Sequence, residues 1–378
     1  MRIQDRFFPQ SQRVPAFAST PDAHWNSWIW QQQKRIKTIH DLRSLMPITD
    51  EEAAIIEASA DHFHWAMTPY YASLIEPNNP QCPIRLQAIP SQPELTVHDY
   101  EMHDPLAEET HMPTPGLTHR YPDRVLLYST HNCPVYCRHC TRKRKVANPA
   151  TAHTNEDLKK AFTYIADHPE VRDVLISGGD PLSNSDGRLH FILSHLRAIP
   201  HIEIIRLCTR NIVTLPQRIT PELCQMLQKF GPIYVNTHFN HPRECTREAF
   251  DAAALLMDIG HCVVSNQMVL LKGINDNAEI VKSLNQKLLL MRIRPYYILQ
   301  CDMVSGLSHF RTSLQTGIDI IDALRGHTSG LAVPHYVVDL PGGGGKISLV
   351  PQYTVEKTDK KWTFRNYAHR HFTYIDSL

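Results

Sequence analysis

Cys133, Cys137 and Cys140 fall in Asn132-Cys133-Pro134-Val135-Tyr136-Cys137-Arg138-His139-Cys140, a C-x3-C-x2-C triplet on one short stretch. Three thiolates at this spacing can ligate three irons of a 4Fe-4S cluster and leave the fourth without a protein ligand, whereas closed electron carriers supply a fourth cysteine. The open iron can then take a substrate or a cofactor. Simpler readings remain. A structural zinc site asks for four Cys/His ligands, for which His139 is the nearest extra candidate, but no partner C-x2-C or H-x3-H pair stands out downstream. Plain buried thiols are the other alternative.

Gly342-Gly343-Gly344-Gly345-Lys346 is the second feature with chemistry in it. It is not a Walker phosphate loop, because Leu340 and Ile347 stand where that pattern needs glycine and Ser/Thr. Consecutive glycines let the backbone turn sharply and approach a flat ligand closely, with the lysine amine at a defined point. A flexible surface turn has the same composition. The Arg142-Lys143-Arg144-Lys145 run reads on its own as a solvated face or a basic patch.

These groups must be positioned by the elements around them. From about residue 124, short apolar runs alternate with amphipathic segments, and the expected strands are 125–129, 173–177, 203–208, 233–236, 262–270, 295–300 and 335–338. Leu158, Ala161, Phe162 and Ile165 recur at i, i+3, i+4 and i+7, so that helix can cover a sheet with one face. Thr220 caps a helix that starts at Pro221 and ends near Gly231, and Thr246 and Gly260 bracket another. Strand followed by helix, repeated, implies an α/β fold with parallel strands. The cysteine triplet follows the first of these strands, at the C-terminal strand end where active sites of parallel α/β folds gather. Residues 1–110 read as a helical region with a proline-rich connector from Glu76 to Pro93, in which Trp25, Trp28 and Trp30 anchor packing. Cys82, Cys208, Cys224, Cys245, Cys262 and Cys301 are scattered and read as small core residues.

A net charge of +1 over 378 residues gives no general attraction to nucleic acid or anionic lipid. No apolar run reaches the ~18 residues of a membrane span, and 1–14 lacks the apolar core of a signal peptide. With nine cysteines, three of them clustered, a reducing compartment fits better than a disulfide scaffold, so a cytoplasmic protein is expected.

The blocks HNCPVYCRHCTRKRK (131–145), THRYPDR (118–124), SGGDPL (177–182), NTHFNHP (236–242), RPYYILQCD (294–302) and DLPGGGGK (339–346) resemble the lysine 2,3-aminomutases, radical S-adenosylmethionine enzymes that also use pyridoxal phosphate, in order and across most of the chain. The resemblance implies a partial (βα)6 TIM-like barrel, which the strand count matches. An N-terminal helical region (1–110), the barrel (111–325) and a C-terminal segment carrying the pyridoxal lysine (326–378) would make up the chain. By resemblance, Cys133, Cys137 and Cys140 bind the cluster and Lys346 forms the pyridoxal phosphate aldimine. Arg120, Tyr121 and Arg124 bind the phosphate, where two guanidiniums suit a dianion. S-adenosylmethionine is bound by His139, Ser177, Gly178, Gly179, Asp180, His238 and Gln267. The substrate carboxylate falls to Arg142 and its distal ammonium to Asp302 and Asp339. The implied activity is that of an isomerase moving the amino group of L-lysine from the α- to the β-carbon by means of a 5'-deoxyadenosyl radical. Arginine also satisfies two carboxylates and stays open as substrate, as do glutamate and a role in protein or RNA modification. An electron donor such as flavodoxin or ferredoxin is implied, and homo-oligomerisation is left open. Well-known members carry zinc-binding cysteines in a C-terminal extension. Here no cysteine follows Cys301, and Asn277 stands where those relatives have another, so no structural zinc is expected. Leu299 replaces a tyrosine of the clostridial type beside Asp302.

Overall fold

Each apolar run expected to be a strand is one. In the computed structural model, which describes residues 3–60 and 62–376, they form β2 (Arg124–Thr130), β3 (Asp173–Gly178), β4 (Ile204–Cys208), β5 (Ile233–Thr237), β6 (Val263–Leu270), β7 (Arg294–Gln300) and β8 (His335–Leu340). The extreme ends of the N- and C-terminal segments, with Asp61, lie outside the described residues. These seven strands pair in parallel and in sequence order, in registers such as Val125 with Val174 and Ile176 with Leu207. Two antiparallel strands that the apolar pattern does not announce flank them: β1 (Leu117–Tyr121) on β2, and β9 (Gly345–Leu349) on β8. The nine-stranded sheet runs from β1 to β9 without pairing its edges, so the barrel is partial. A separate antiparallel sheet follows, formed by β10 (Thr354–Lys357), β11 (Lys361–Arg365) and β12 (His371–Ile375).

Helices α1 (Asn155–Ala166), α2 (Asp186–Arg197), α3 (Pro221–Gln228), α4 (Arg247–Asp258), α5 (Ala278–Leu290) and α6 (Leu314–Leu324) follow β2 to β7, giving the six strand–helix units that the resemblance implied. Their starts are written locally. The Thr154 hydroxyl accepts from Asp157 N while the Asp157 carboxylate accepts from Thr154 N, closing a capping box. Thr220 and Thr246 cap α3 and α4 in the same way. Asn277 also has a local duty, since its side-chain oxygen accepts from Glu279 N and Ile280 N at the start of α5.

Alternation along the strands separates two faces. Leu127, Ile176, Leu207, Met268 and Ile298 are buried in the main core. Leu126, Leu175, Cys208, Gln267 and Leu299 turn instead toward a cavity inside the barrel.

The N-terminal region is built from short helices, as expected, but the proline-rich stretch is no simple connector. Pro83 starts a buried helix, Pro83–Ala88, in which Ile84, Gln87 and Ala88 have no exposed surface. Trp25 and Trp30 pack with each other and Phe17, and Trp28 lies under the Arg218 guanidinium at 4.6 Å. No described helix is long and apolar enough to cross a membrane.

Candidate active site

The cysteine stretch leaves the C-terminal end of β2 and is tied down at its backbone. Tyr136 N donates to Ala66 O (3.0 Å), Arg138 N to Gln87 O (2.9 Å), and Arg35 Nη1 to Cys133 O (2.9 Å). The Arg138 side chain, with no exposed surface, forks onto Glu94 and reaches His64 O. Burial first, then the charges of Asp180 and the neighbouring thiols, pushes the Cys133 thiol well up, and burial raises Cys140 to about 11. Such thiols stay protonated unless a metal takes the proton's place. Among the described residues no three His, Cys, Asp or Glu side chains converge as a single-ion site requires. A cluster spreads its cysteines over separate irons, so it makes no such demand.

Next to this loop the strand ends open into a cavity of about 240 Å3. Arg120, Tyr121, Arg124, Arg142, Ser177, His238, Gln267, Asp302, Asp339 and Lys346 all line it. A smaller adjoining cavity of about 90 Å3 shares His238, Asp302 and Asp339 and adds His139. Eleven of the predicted residues, from segments as far apart as Arg120 and Lys346, therefore meet at one pair of cavities.

The charged groups there are paired with one another. Asp339 accepts from Arg120 Nη2 (3.0 Å) on one oxygen and from Lys346 Nζ on the other. Tyr121 lies between the Arg120 and Arg124 guanidiniums, 5.0 and 4.7 Å from its ring centre, and its hydroxyl accepts from Lys346 N (2.9 Å). Gly345 has φ +83°, and a Cβ there would stand 3.2 Å from that hydroxyl, so glycine permits this approach. Arg142 donates to Glu108 through Nε (2.8 Å) and Nη2 (2.6 Å), and to the Ser177 hydroxyl through Nη1 (3.3 Å). Asp302 accepts from the Thr141 hydroxyl (2.7 Å). Burial, with Asp339 adding to it, raises the Asp302 carboxyl to about 6. Burial, then Arg210, lowers His238 to about 4, so that ring is neutral near pH 7. His139 is likewise held neutral by burial, and its Nδ1 is a buried polar atom without a hydrogen-bond partner.

Some expected residues do not line these cavities. Asp180 does not enter the cavity: its carboxylate accepts from Leu182 N (3.0 Å), the Thr209 hydroxyl (2.6 Å) and Arg210 N (2.7 Å). Gly178 and Gly179 serve a close passage of chain, where a Cβ on Gly179 would meet Asn132 O at 2.5 Å. Cys208, expected in the core, is half-buried and lines the cavity, because β4 turns its alternate residues inward. Three participants escaped the sequence reading. Glu108 sits in an irregular stretch with no periodicity, and Thr141, although inside the 131–145 block, is a residue type that marks no chemistry by itself. Arg210 had a usable signal, its position just beyond the C-terminal end of β4. Burial pushes the Glu108 carboxyl up, but Arg142, Arg144 and Lys145 outweigh it and leave it below the usual carboxylate range.

Residues 127–284 match the radical SAM superfamily, and residues 321–376 match the family described as lysine-2,3-aminomutase. The chain is 50% identical to the L-lysine 2,3-aminomutase of Fusobacterium nucleatum over 96% of its own length and 85% of that protein. It is 49% identical to the L-lysine 2,3-aminomutase of Clostridium subterminale, over 97% and 88%. The chain belongs to the lysine 2,3-aminomutase family. A glutamate 2,3-aminomutase of Clostridioides difficile is also similar, at 42% identity over 92% of the chain and 82% of the relative. As a member of the lysine 2,3-aminomutase family the chain is an isomerase acting on a small molecule, with a 4Fe-4S cluster, S-adenosylmethionine and pyridoxal phosphate as cofactors. The residues present fit these groups. Three half-buried thiols share one loop, two guanidiniums and a tyrosine flank Lys346, and His139 on the same loop lines the smaller cavity with an unpartnered nitrogen.

Proposed function

We propose that the chain converts L-lysine to β-lysine (3,6-diaminohexanoate), with the cluster on Cys133, Cys137 and Cys140 and pyridoxal phosphate on Lys346. The observation that carries this reading is that Asp302 and Asp339 line the same cavity as Arg142 and Lys346. A guanidinium and two carboxylates in one cavity suit an amino acid with a cationic side chain. A glutamate side chain would leave Asp302 without a cationic partner and add a third acid beside it and Asp339, at a cost of several kcal/mol. The names of the two relatives near 50% identity support the same substrate.

When bound, the cofactors supply a hydrogen-abstracting 5'-deoxyadenosyl radical and a π-system across which nitrogen can migrate. The chain's own residues do the rest. Arg120, Tyr121 and Arg124 hold the phosphate, His139, His238 and Gln267 orient S-adenosylmethionine, and Ser177-Gly178-Gly179-Asp180 supports the cluster loop and Arg142. Arg142 takes the substrate carboxylate, which must displace or share Glu108. Lys346 would hold the cofactor in place of its contact with Asp339, and the Asp339 oxygen it now meets would be open to the substrate ammonium beside Asp302. The neutral rings of His139 and His238 add no competing positive charge. A flavodoxin- or ferredoxin-type donor supplies the electron, and nine cysteines without a disulfide suit the cytoplasm.

The test is anaerobic incubation of reconstituted, reduced enzyme with S-adenosylmethionine, pyridoxal phosphate and lysine, arginine or glutamate, followed by chromatography of β-amino acids. β-Lysine is the expected product. Another β-amino acid alone would remove Asp302 and Asp339 from lysine recognition, and no rearrangement would remove the catalytic reading. Lys346→Ala should lose the pyridoxal–lysine absorbance and keep the iron–sulfur spectrum; a retained pyridoxal band would remove Lys346 from its role.

A further inference from the structure

Arg210 follows β4 and is 7% exposed. Nη1 donates to Cys137 Sγ at 2.9 Å. The rest of the fork is fixed: Nε donates to His238 O (3.0 Å), and Nη2 to Glu244 Oε1 (2.6 Å), Gln87 Oε1 (2.6 Å) and the Tyr71 hydroxyl (3.2 Å). Its backbone N is held by Asp180. Glu244 has no exposed surface and also accepts from Asn240 N and His241 N, so it is itself immobile. A guanidinium does not deprotonate in this setting, so the donor and its charge persist at any working pH. Nothing in substrate or pyridoxal recognition uses this network.

We propose that Arg210 is a positioning residue whose charge-assisted hydrogen bond to Cys137 raises the reduction potential of the cluster; this rests on the assignment of Cys133, Cys137 and Cys140 as its ligands. Reduction adds one electron from the external one-electron donor, and part of that charge falls on the sulfurs. A fixed cationic donor on one sulfur favours the more negative, reduced state, and hydrogen bonds and net charge at the sulfurs are established means of setting such potentials. No proton moves to or from Arg210. The low polarity of the site strengthens the effect.

Removing Arg210 alone would leave the buried Glu244 carboxylate without its cationic partner, so the comparison is made between Glu244→Gln and Arg210→Gln/Glu244→Gln, in which neither residue carries a charge. Arg210→Lys is the second variant, keeping a cation without the fork. The full-length protein is reconstituted anaerobically, its iron and sulfide are counted, and the cluster is titrated by EPR without S-adenosylmethionine. The double variant should be harder to reduce than Glu244→Gln by about tenfold in equilibrium constant, about 59 mV more negative for a one-electron couple. Arg210→Lys should be lowered from wild type by less than that. Equal potentials for Glu244→Gln and the double variant, or for Arg210→Lys and wild type, would overturn the proposal. So would a folded double variant that holds no iron, since Arg210 would then retain the cluster instead of tuning it. Wild type reconstituting without four irons would instead bring down the cysteine assignment.

Discussion

Asp302 shows how one side chain can be tuned by its company. Its folded-state pKa of about 6 lies above the unfolded value of about 3.9. Between those values the folded protein binds more protons than the unfolded chain, so this group's contribution to stability falls as pH rises. Asp302→Asn cannot ionise. In cofactor-free protein it should gain about 1–2 kcal/mol on wild type between pH 4 and 7, less than the full two-unit shift because the carboxyl faces an open cavity. Urea titrations of both proteins at the two pH values measure this, and an unchanged difference would mean that Asp302 ionises as freely folded as unfolded. Lysine binding should show the opposite dependence, weakening as pH falls through about 6 and the carboxylate is lost. At this scale the residue types were legible, since three cysteines, a glycine-borne lysine and two acids in recognisable blocks suffice to name candidates. Their pairing was not, and neither was Glu108, because an acid in an irregular stretch looks like any surface acid.

The cluster loop draws its rigidity from elements far from it in sequence. Glu94 lies in a short 3-10 helix, Gln92–Leu95, and is only 9% exposed where it holds Arg138. Glu94→Ala would leave a buried guanidinium without its partner, at a cost of about 3–5 kcal/mol. The variant should unfold at lower denaturant and retain less iron per chain after reconstitution, and full iron retention would show that the loop keeps its shape without this tie. Caps and apolar periodicity made α1, α3, α4 and the seven parallel strands readable. The edge strands escaped for a physical reason: Leu117-Thr118-His119-Arg120-Tyr121 has one buried residue followed by four half-buried ones, so no alternation marks it. Likewise β9 begins at Gly345 and is mostly exposed, and it extends only because β8 offers it a ladder.

For the molecule as a whole, the open barrel places its unpaired edges at the site. Side chains, not a backbone ladder, span the gap from β1 to β8 and β9, through Arg120 to Asp339 and Tyr121 to Lys346 N. A cofactor bound by both edges should join them. Pyridoxal phosphate should therefore raise the Tm of the apoprotein in a concentration-dependent way and slow amide hydrogen exchange in 117–121 and 339–349. Protection confined to 345–346 would mean that the β1 arginines do not hold it. By itself the sequence determined the ligand types, the order of strands and helices and the strand end at which chemistry gathers, because spacing, capping and periodicity are local properties of the chain. Tertiary structure alone decided which charges meet: Arg142 with Glu108, 34 residues away, Arg210 with Cys137, 73 away, and Arg120 with Asp339, 219 away. Those encounters follow from strand register, an unclosed sheet and the packing of the N-terminal region under the cysteine loop, and no local pattern encodes them.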